Sequence, residues 1–326
     1  MPAFPDASAL NKDFRQIEWD EPLAEDWREL IRLAIREDLD RGYDWTTVLL
    51  ASEAARGKAA VVARQPGVVA GLPAAQQALA EIDQAATFSP IAQDGQAVLA
   101  GEVIAHISGS ARSLLTAERL ILNALGRLCG IATQTRRFVD AVSGTTARIY
   151  DTRKTIPGWR RLEKYAVRMG GGHNHRLGLY DAVLIKDNHL ALLSQVGVDG
   201  LDVPPPTTGQ VVQRVRQFLL GLPDNDPRKE MIVEIEVDTL EQLEQVLPAE
   251  PDIVLLDNMS PAQLRTAVER RNALAVPVEL EASGGVNLAS VGEIARTGVE
   301  RISTGALTHG AIWLDIGLDW ADWEKK

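Results

Sequence analysis

The chain has 326 residues, 45% of them apolar and 24% charged, and its 45 acidic against 34 basic side chains give a formal net charge of −11. That length buries a substantial core and suits two domains, or one barrel with an appendage. The acidic balance argues against a nucleic-acid partner, which calls for a basic surface, and no apolar run reaches the length of a membrane span.

The N-terminus has no basic flank followed by an apolar core, so no signal peptide is expected. One cysteine, Cys129, permits no internal disulfide and fits a reducing cytoplasm. Its apolar helical context makes it a core residue, and the Cys and His spacings of a zinc site are missing.

Residues 1 to about 22 mix Pro2, Pro5 and Pro22 with polar side chains and read as a lead-in. A helix is expected from about Leu23 to Leu39, with Leu30, Ile31, Ala34 and Ile35 at helical spacing, and REDLDRGYDWTT at its end reads as a turn. From Gly57 to Ser108 come short β-like pieces, KAAVVARQPGVVAGL, ATFSPI and AVLAGEVIAHISG, with a helix from about Pro73 to Ile82. This predicts a small α+β unit in which His106 is structural. Leu114 to Val142 is one long helical stretch, expected to break near Gly130, with Thr116 as N-cap and Glu118 and Arg119 in the first turns.

Asp151 to His189 is the centre of the chain. It holds eight Lys or Arg against four acids, a local +4 that calls for an anion. Arg148 to Tyr150 and Ala182 to Ile185 read as buried strands, each followed at once by polar residues. Asp151, Thr152, Arg153 and Lys154 follow the first, and Lys186, Asp187, Asn188 and His189 the second. Between them a helix is expected, with Pro157 near its first turn, a stripe of Leu162, Tyr165, Ala166 and Met169, and Gly170 past its end. The triplet Gly170, Gly171 and Gly172 is expected to let the backbone approach a ligand, and it leads into His173, Asn174, His175 and Arg176. Arg160, Arg161 and Arg168 read as a solvated helix face. Arg153, Lys154, Arg176 and Lys186 do not, because burying four cations together without an anion is costly.

A strand, turn, helix rhythm then repeats. MIVEIEVD ends in Glu236, DIVLLDN in Asp257, VELEASGG in Ser283 and Gly284, and RISTGAL in Gly305, with helices at Leu240 to Leu247, Pro261 to Arg271 and Leu288 to Thr297. Six strands thus carry polar or glycine motifs at their C-terminal ends, the way an incomplete or irregular parallel α/β barrel gathers a site. An open doubly wound sheet also binds at strand ends, but its Gly-rich dinucleotide fingerprint is absent. The expected division is an N-terminal α+β domain over 1–115, the barrel over 116–310, and a C-terminal segment over 311–326 that packs back on the first domain. Residues 190–230 read as a surface elaboration.

The pieces TAER, GIAT, DTRKT, PG, KYAV, GGG, NHR, GL, D and IK-NH occur here in that order. So long an ordered set resembles quinolinate phosphoribosyltransferase. REDLDRGYDWTT is similar to that family's early motif, with Asp40, Tyr43 and Trp45 departing from it. The resemblance implies that quinolinate and phosphoribosyl pyrophosphate give nicotinate mononucleotide, pyrophosphate and carbon dioxide. Such anionic substrates need cations: Arg153 and Arg176 as bidentate carboxylate clamps, Arg119, His175 and Lys186 around them, and Lys154 facing phosphate or pyrophosphate. Thr152 belongs to the same turn by resemblance. Glu236 and Asp257, acids among anions, need a cation between, and Mg²⁺ binds through one or two carboxylates plus substrate phosphates. The same carboxylates suit an oxocarbenium-like ribose. Glu234 shares the face of Glu236, so the choice between them rests on resemblance. Ser283, Gly284, Gly285, Gly305 and Ala306 would offer N–H groups to the ribose phosphate. Lys154, Lys186, Glu236 and Asp257 form the expected catalytic set.

Resemblance also implies a homodimer in which Arg119, on a helix that precedes the barrel strands, is donated across the interface. Three other readings compete. A Schiff-base lyase using Lys186 leaves Arg153, Arg176 and the two carboxylates idle. A non-catalytic anion-binding relative would not need the full set of cations and carboxylates. A nicotinate phosphoribosyltransferase, whose acceptor has one carboxylate, needs fewer cations.

Overall fold

Asp20 opens the first helix: its carboxylate accepts from the backbone N of Leu23 at 3.0 Å, and Pro22 sits in the first turn. The computed structural model describes residues 13–196 and 205–320. The first twelve residues of the expected lead-in, 197–204 of the expected elaboration and the last six residues lie outside the described residues. Two units interleave along the chain. One comprises Gln16–Val139, Lys154–His173 and Gly305–Lys326, the other Met1–Arg15, Asp140–Arg153 and Asn174–Thr304.

In the first unit α1 (Glu21–Leu39) buries Leu23, Trp27 and Ile31, four residues apart. The expected turn after it holds a short helix, α2 (Trp45–Leu50), because Asp44 caps it through the Thr47 N–H at 3.0 Å. Then follow β1 (Arg56–Ala63), β2 (Gly67–Val68), α3 (Leu72–Ile82), β3 (Thr87–Pro90), β4 (Ala97–Val98) and β5 (Val103–Ser110). An antiparallel sheet runs in the order Ile316–Trp320, β1, β5, β3, so the C-terminal strand closes the edge of β1. His106 lies exposed on β5.

Helix α4 (Ala111–Ala141) corrects two expectations. Thr116 is inside it rather than at its cap, and the helix does not break at Gly130. A Cβ at Gly130 would strike the Ile312 carbonyl, so this glycine admits the C-terminal segment against the helix. The expected domain boundary at 115/116 falls within this helix.

The same unit contains α5 (Arg160–Met169). Its arginine face is not solvated: Arg160, Arg161 and Arg168 are half-buried, Arg161 meets Asp26 at 3.4 Å, and Glu163 and Lys164 are fully buried. The glycine triplet packs helices rather than opening the backbone to a ligand. A Cβ on Gly170 would lie 2.5 Å from Thr135 Cβ and one on Gly172 2.7 Å from Thr135 Cγ2, while Gly171 turns at φ +89°.

The second unit carries β6 (Arg148–Tyr150), β7 (Val183–Ile185), α6 (Asp187–Val196), α7 (Thr208–Leu220), β8 (Val233–Val237), α8 (Leu240–Val246), β9 (Ile253–Asp257), α9 (Pro261–Leu274), β10 (Glu279–Ser283), α10 (Val291–Ala295) and β11 (Arg301–Ser303). Its six strands are parallel in the order β6, β11, β10, β9, β8, β7, an incomplete α/β barrel open between β6 and β7. Helix α7 corrects the reading of 190–230 as a surface elaboration. It is capped by a Thr207/Gln210 box, buries Val211, Val212 and Leu219, and sets Gly209 against the Gln245 carbonyl. It is the barrel's connection from β7 to β8.

Strand register decides what fills the barrel. Pairing puts Glu234 and Glu236 of β8, Asp257 of β9, Glu279, Glu281 and Ser283 of β10, Arg301 of β11 and Tyr150 of β6 on one face, with Ile235, Leu280 and Ile302 on the other. Glu234 and Glu281, on strands separated by β9, both reach His175, so the charged face is the concave one. Phe14, Ala182, Ile232 and Ile253 form a buried apolar cluster at the N-terminal ends of the strands. Among the described residues no helix is long and apolar enough to cross a membrane.

Candidate active site

The deepest charges of the barrel satisfy one another. Arg301, fully buried, donates from Nη1 to Glu279 at 3.0 Å and to Asp13 at 3.2 Å and from Nε to Glu281 at 3.1 Å, and its guanidinium lies 3.7 Å from the centre of the Tyr150 ring. Burial works against its charge, but Glu281, Tyr150, Asp13 and Glu279 outweigh it and hold its proton more tightly than usual.

His175 sits on this layer, stacked on Phe14 with ring centroids 4.3 Å apart. Its Nδ1 accepts from the backbone N of Arg176 at 2.8 Å, and its Nε2 faces Glu234 at 3.0 Å and Glu281 at 3.5 Å. Both ring nitrogens are therefore engaged by the protein, and His175 orients its neighbour instead of standing open as a ligand. Burial opposes the charge of Glu234, yet His175, Arg301 and Arg176 hold its carboxyl below the ordinary range. Burial and the nearby Glu234 push Glu281 the other way. These three side chains lie within ligating range of one another, but Arg301 already supplies the cation that a metal would.

Further charges gather at the strand tips. Asp151, fully buried past β6, accepts from the backbone N of His175 at 2.9 Å and from Asn174 Nδ2 at 2.7 Å, and thereby ties the first polar turn to the NHR segment. Arg176 is buried and donates to the Ala182 carbonyl at 3.3 Å. Burial and then the charge of Arg153 lower its hold on the proton, while Glu234 and Asp181 act the other way. Thr152 is half-buried in the same turn. Lys186, past β7, ion-pairs with Glu236 on β8. Asp257 accepts from Asn258 Nδ2 at 2.6 Å. Beside it, Ser283 and Gly284 are half-buried and Gly285 is exposed. Gly284 and Gly285 both turn at positive φ, and a Cβ on Gly284 would strike Asn258.

The first unit holds the remaining expected residues. Lys154 is exposed, and Gly305 lacks a Cβ where one would lie 2.8 Å from both Lys154 Cδ and His309 Cδ2. Ala306 follows in a single 3-10 turn. Arg119 projects from α4, its side chain 66% exposed, and pairs with its neighbour Glu118 at 3.0 Å.

Sequence reading missed Glu281, Arg301, Glu279, Asp13 and His309. For the first three a signal existed: the alternation in VEIEV, ELEAS and RIS places charges at every second strand position, which betrays a polar barrel interior. Asp13 and His309 carried no local pattern.

Two family profiles match consecutive stretches: the quinolinate phosphoribosyl transferase N-terminal domain over residues 44–129 and its C-terminal domain over 131–319. The carboxylating nicotinate-nucleotide pyrophosphorylase of Mycobacterium leprae is 43% identical over 294 residues, 90% of this chain and 96% of that protein. The solved nicotinate-nucleotide pyrophosphorylase of Francisella tularensis is 34% identical, covers 95% of this chain and 100% of its own, and superposes with a TM-score of 0.81. That of Ehrlichia chaffeensis is 36% identical, covers 90% and 98%, and gives 0.78. With its barrel, its strand-end cations and both profiles in sequence order, this chain belongs to the quinolinate phosphoribosyl transferase family.

Proposed function

We propose that this chain transfers the phosphoribosyl group of phosphoribosyl pyrophosphate to the ring nitrogen of quinolinate, releasing pyrophosphate and then carbon dioxide, through the residues assigned below. The observation that carries the assignment is the tie between the first polar turn and the NHR segment, where Asp151 accepts from Asn174 and from the backbone N of His175 and so brings the segments of Arg153 and Arg176 together past the strand ends. A dicarboxylate offers one carboxylate to each fork in bidentate fashion. His175 holds the backbone of Arg176, while Lys186 completes the cationic wall and is held by Glu236 until substrate arrives.

Lys154 faces the phosphate or pyrophosphate as a point charge, with Ser283, Gly284, Gly285, Gly305 and Ala306 offering N–H groups to the ribose phosphate. Glu236 and Asp257 share the inner face of adjacent strands at the open end, both partly exposed, an all-oxygen pair that fits Mg²⁺. Mg²⁺ bound there would neutralise the leaving pyrophosphate. The two carboxylates themselves stabilise positive charge on the ribose as its bond to pyrophosphate breaks and the ring nitrogen bonds in its place. The positive charge of the alkylated nitrogen then stabilises the carbanion left on the adjacent carbon when its carboxylate departs as carbon dioxide, and that carbon takes up a proton. Arg119, projecting away from its own helix, acts in the site of a partner copy within a homodimer. The single thiol, Cys129, pushed up to about 12 by burial, suits a cytoplasmic enzyme.

A coupled assay with quinolinate and nicotinate as rival acceptors tests the reading. Equal amounts of pyrophosphate and carbon dioxide are expected with quinolinate. Faster turnover of nicotinate would overturn it.

A further inference from the structure

Arg127 on α4 and Glu163 on α5 form an ion pair that is almost wholly shielded from water, with side chains 7% and 0% exposed. Arg127 Nε donates to Glu163 Oε1 at 3.0 Å. A pair so deep is weak support for stability, because desolvation offsets much of the attraction, so what else it holds matters more. Arg127 Nη2 also donates to the Thr308 carbonyl at 3.0 Å, and Nη1 reaches the Ala311 carbonyl at 3.4 Å. The other carboxylate oxygen of Glu163 accepts from the backbone N of Ile156 at 3.3 Å. Between these anchors the Thr308 hydroxyl donates to the Lys154 carbonyl at 2.7 Å. Ile156 lies two residues beyond Lys154, and Gly305 lies three before Thr308, so the bonds close a ring around the backbone of one exposed lysine. The lysine loop and the Gly305 turn are thus tied to a single buried charge pair.

We infer that Arg127 and Glu163, acting through Thr308, are positioning residues that fix the Lys154 backbone for the phosphate-bearing substrate. This rests on the assignment of Lys154 to the phosphate or pyrophosphate. Were the pair only architectural, weakening it would disturb both substrates alike.

The test uses the full chain as wild type, Thr308→Val, Glu163→Gln and Lys154→Ala. It measures KM for each substrate, calorimetric binding of inorganic pyrophosphate, and the melting temperature. Thr308→Val keeps the ion pair but removes the hydroxyl that bonds the carbonyls of Lys154 and Gly305, so KM for phosphoribosyl pyrophosphate should rise about tenfold with KM for quinolinate unchanged. Pyrophosphate binding should weaken to match, with the melting temperature lowered by only about a few degrees. Glu163→Gln should show the same split more strongly, and if it fails to fold, Thr308→Val alone decides. Wild-type phosphate-side constants in Thr308→Val, or both KM values rising together, would overturn the inference. If Lys154→Ala loses pyrophosphate binding while Thr308→Val keeps it, only the positioning role falls. If Lys154→Ala also keeps it, the assignment of Lys154 falls as well.

Discussion

The barrel interior and the barrel mouth are both full of charge, yet they use it in opposite ways. Inside, Arg301 is surrounded by Glu281, Glu279 and Asp13, and every strong charge has a counter-charge within reach. At the mouth, Arg176 lies under the influence of Arg153 as well as of Glu234 and Asp181, and the Lys186–Glu236 pair is partly exposed. Balanced charge in a dry core is architecture, because an unmatched ion there costs several kcal/mol. Charge at a strand tip lies nearer to solvent, where it can also serve a ligand of opposite sign.

The sharpest way to separate the two regions is to remove one charge from each, Asp257 at the mouth and Arg301 inside, with Lys154 of the first unit as a further test of the site assignment. Lys154→Ala and Asp257→Ala should each lower turnover by at least about a thousandfold with the melting curve unchanged, since each loses a charge role and no core volume. Activity within a few-fold of wild type would remove either residue from the site. Arg301→Met should do the reverse, costing about 3–5 kcal/mol of folding free energy in a denaturant titration, because Glu281, Glu279 and Asp13 would be left without their cation. An unchanged midpoint would show that the interior is not held by charge.

Smaller effects sharpen the picture. Arg176→Lys keeps the charge but not the fork, and quinolinate affinity should fall about ten- to a hundredfold in a binding titration. Unaltered affinity would count against the clamp. For Arg119, mixing inactive Arg119→Ala with inactive Lys154→Ala and allowing subunits to exchange should restore about a quarter of wild-type activity, because half the dimers are mixed and each has one intact site. A silent mixture, with exchange confirmed by mass spectrometry, would place Arg119 in its own chain's site or outside the site altogether.

The smallest effect concerns pH and the two acids that share His175. Burial and the nearby Glu234 raise the Glu281 carboxyl, so its proton is held more tightly folded than unfolded. Its contribution to stability is present below the ordinary glutamate range and is lost as pH rises through the folded value. Glu234 is lowered, because His175, Arg301 and Arg176 outweigh burial, so its contribution is present above that range and is lost as pH falls. The melting temperature of wild type minus Glu281→Gln should therefore decline with rising pH, and that of wild type minus Glu234→Gln with falling pH. Parallel slopes would mean that the two acids do not differ in the way their surroundings require.

The sequence alone determined the parts whose cause is local. Strand tips followed by DTRK and IKDNH, the repeating strand and helix rhythm, and the order of the motifs follow from neighbours a few residues apart, so they were legible without a fold. The glycines were not. Gly130 and the Gly170 to Gly172 triplet look like a helix break and a ligand cradle, yet each answers to a residue distant in the chain, Ile312 or Thr135. Helix α7 looked like an insertion because its caps are local while its burial against α8 is not. The same limit hid the pairing of Arg301 with Asp13 and of Arg127 with Glu163. The alternation in VEIEV shows which face a glutamate takes, but only tertiary structure brings its charged neighbours from other strands, and these together with burial decide whether a buried carboxyl is held below or above its ordinary range.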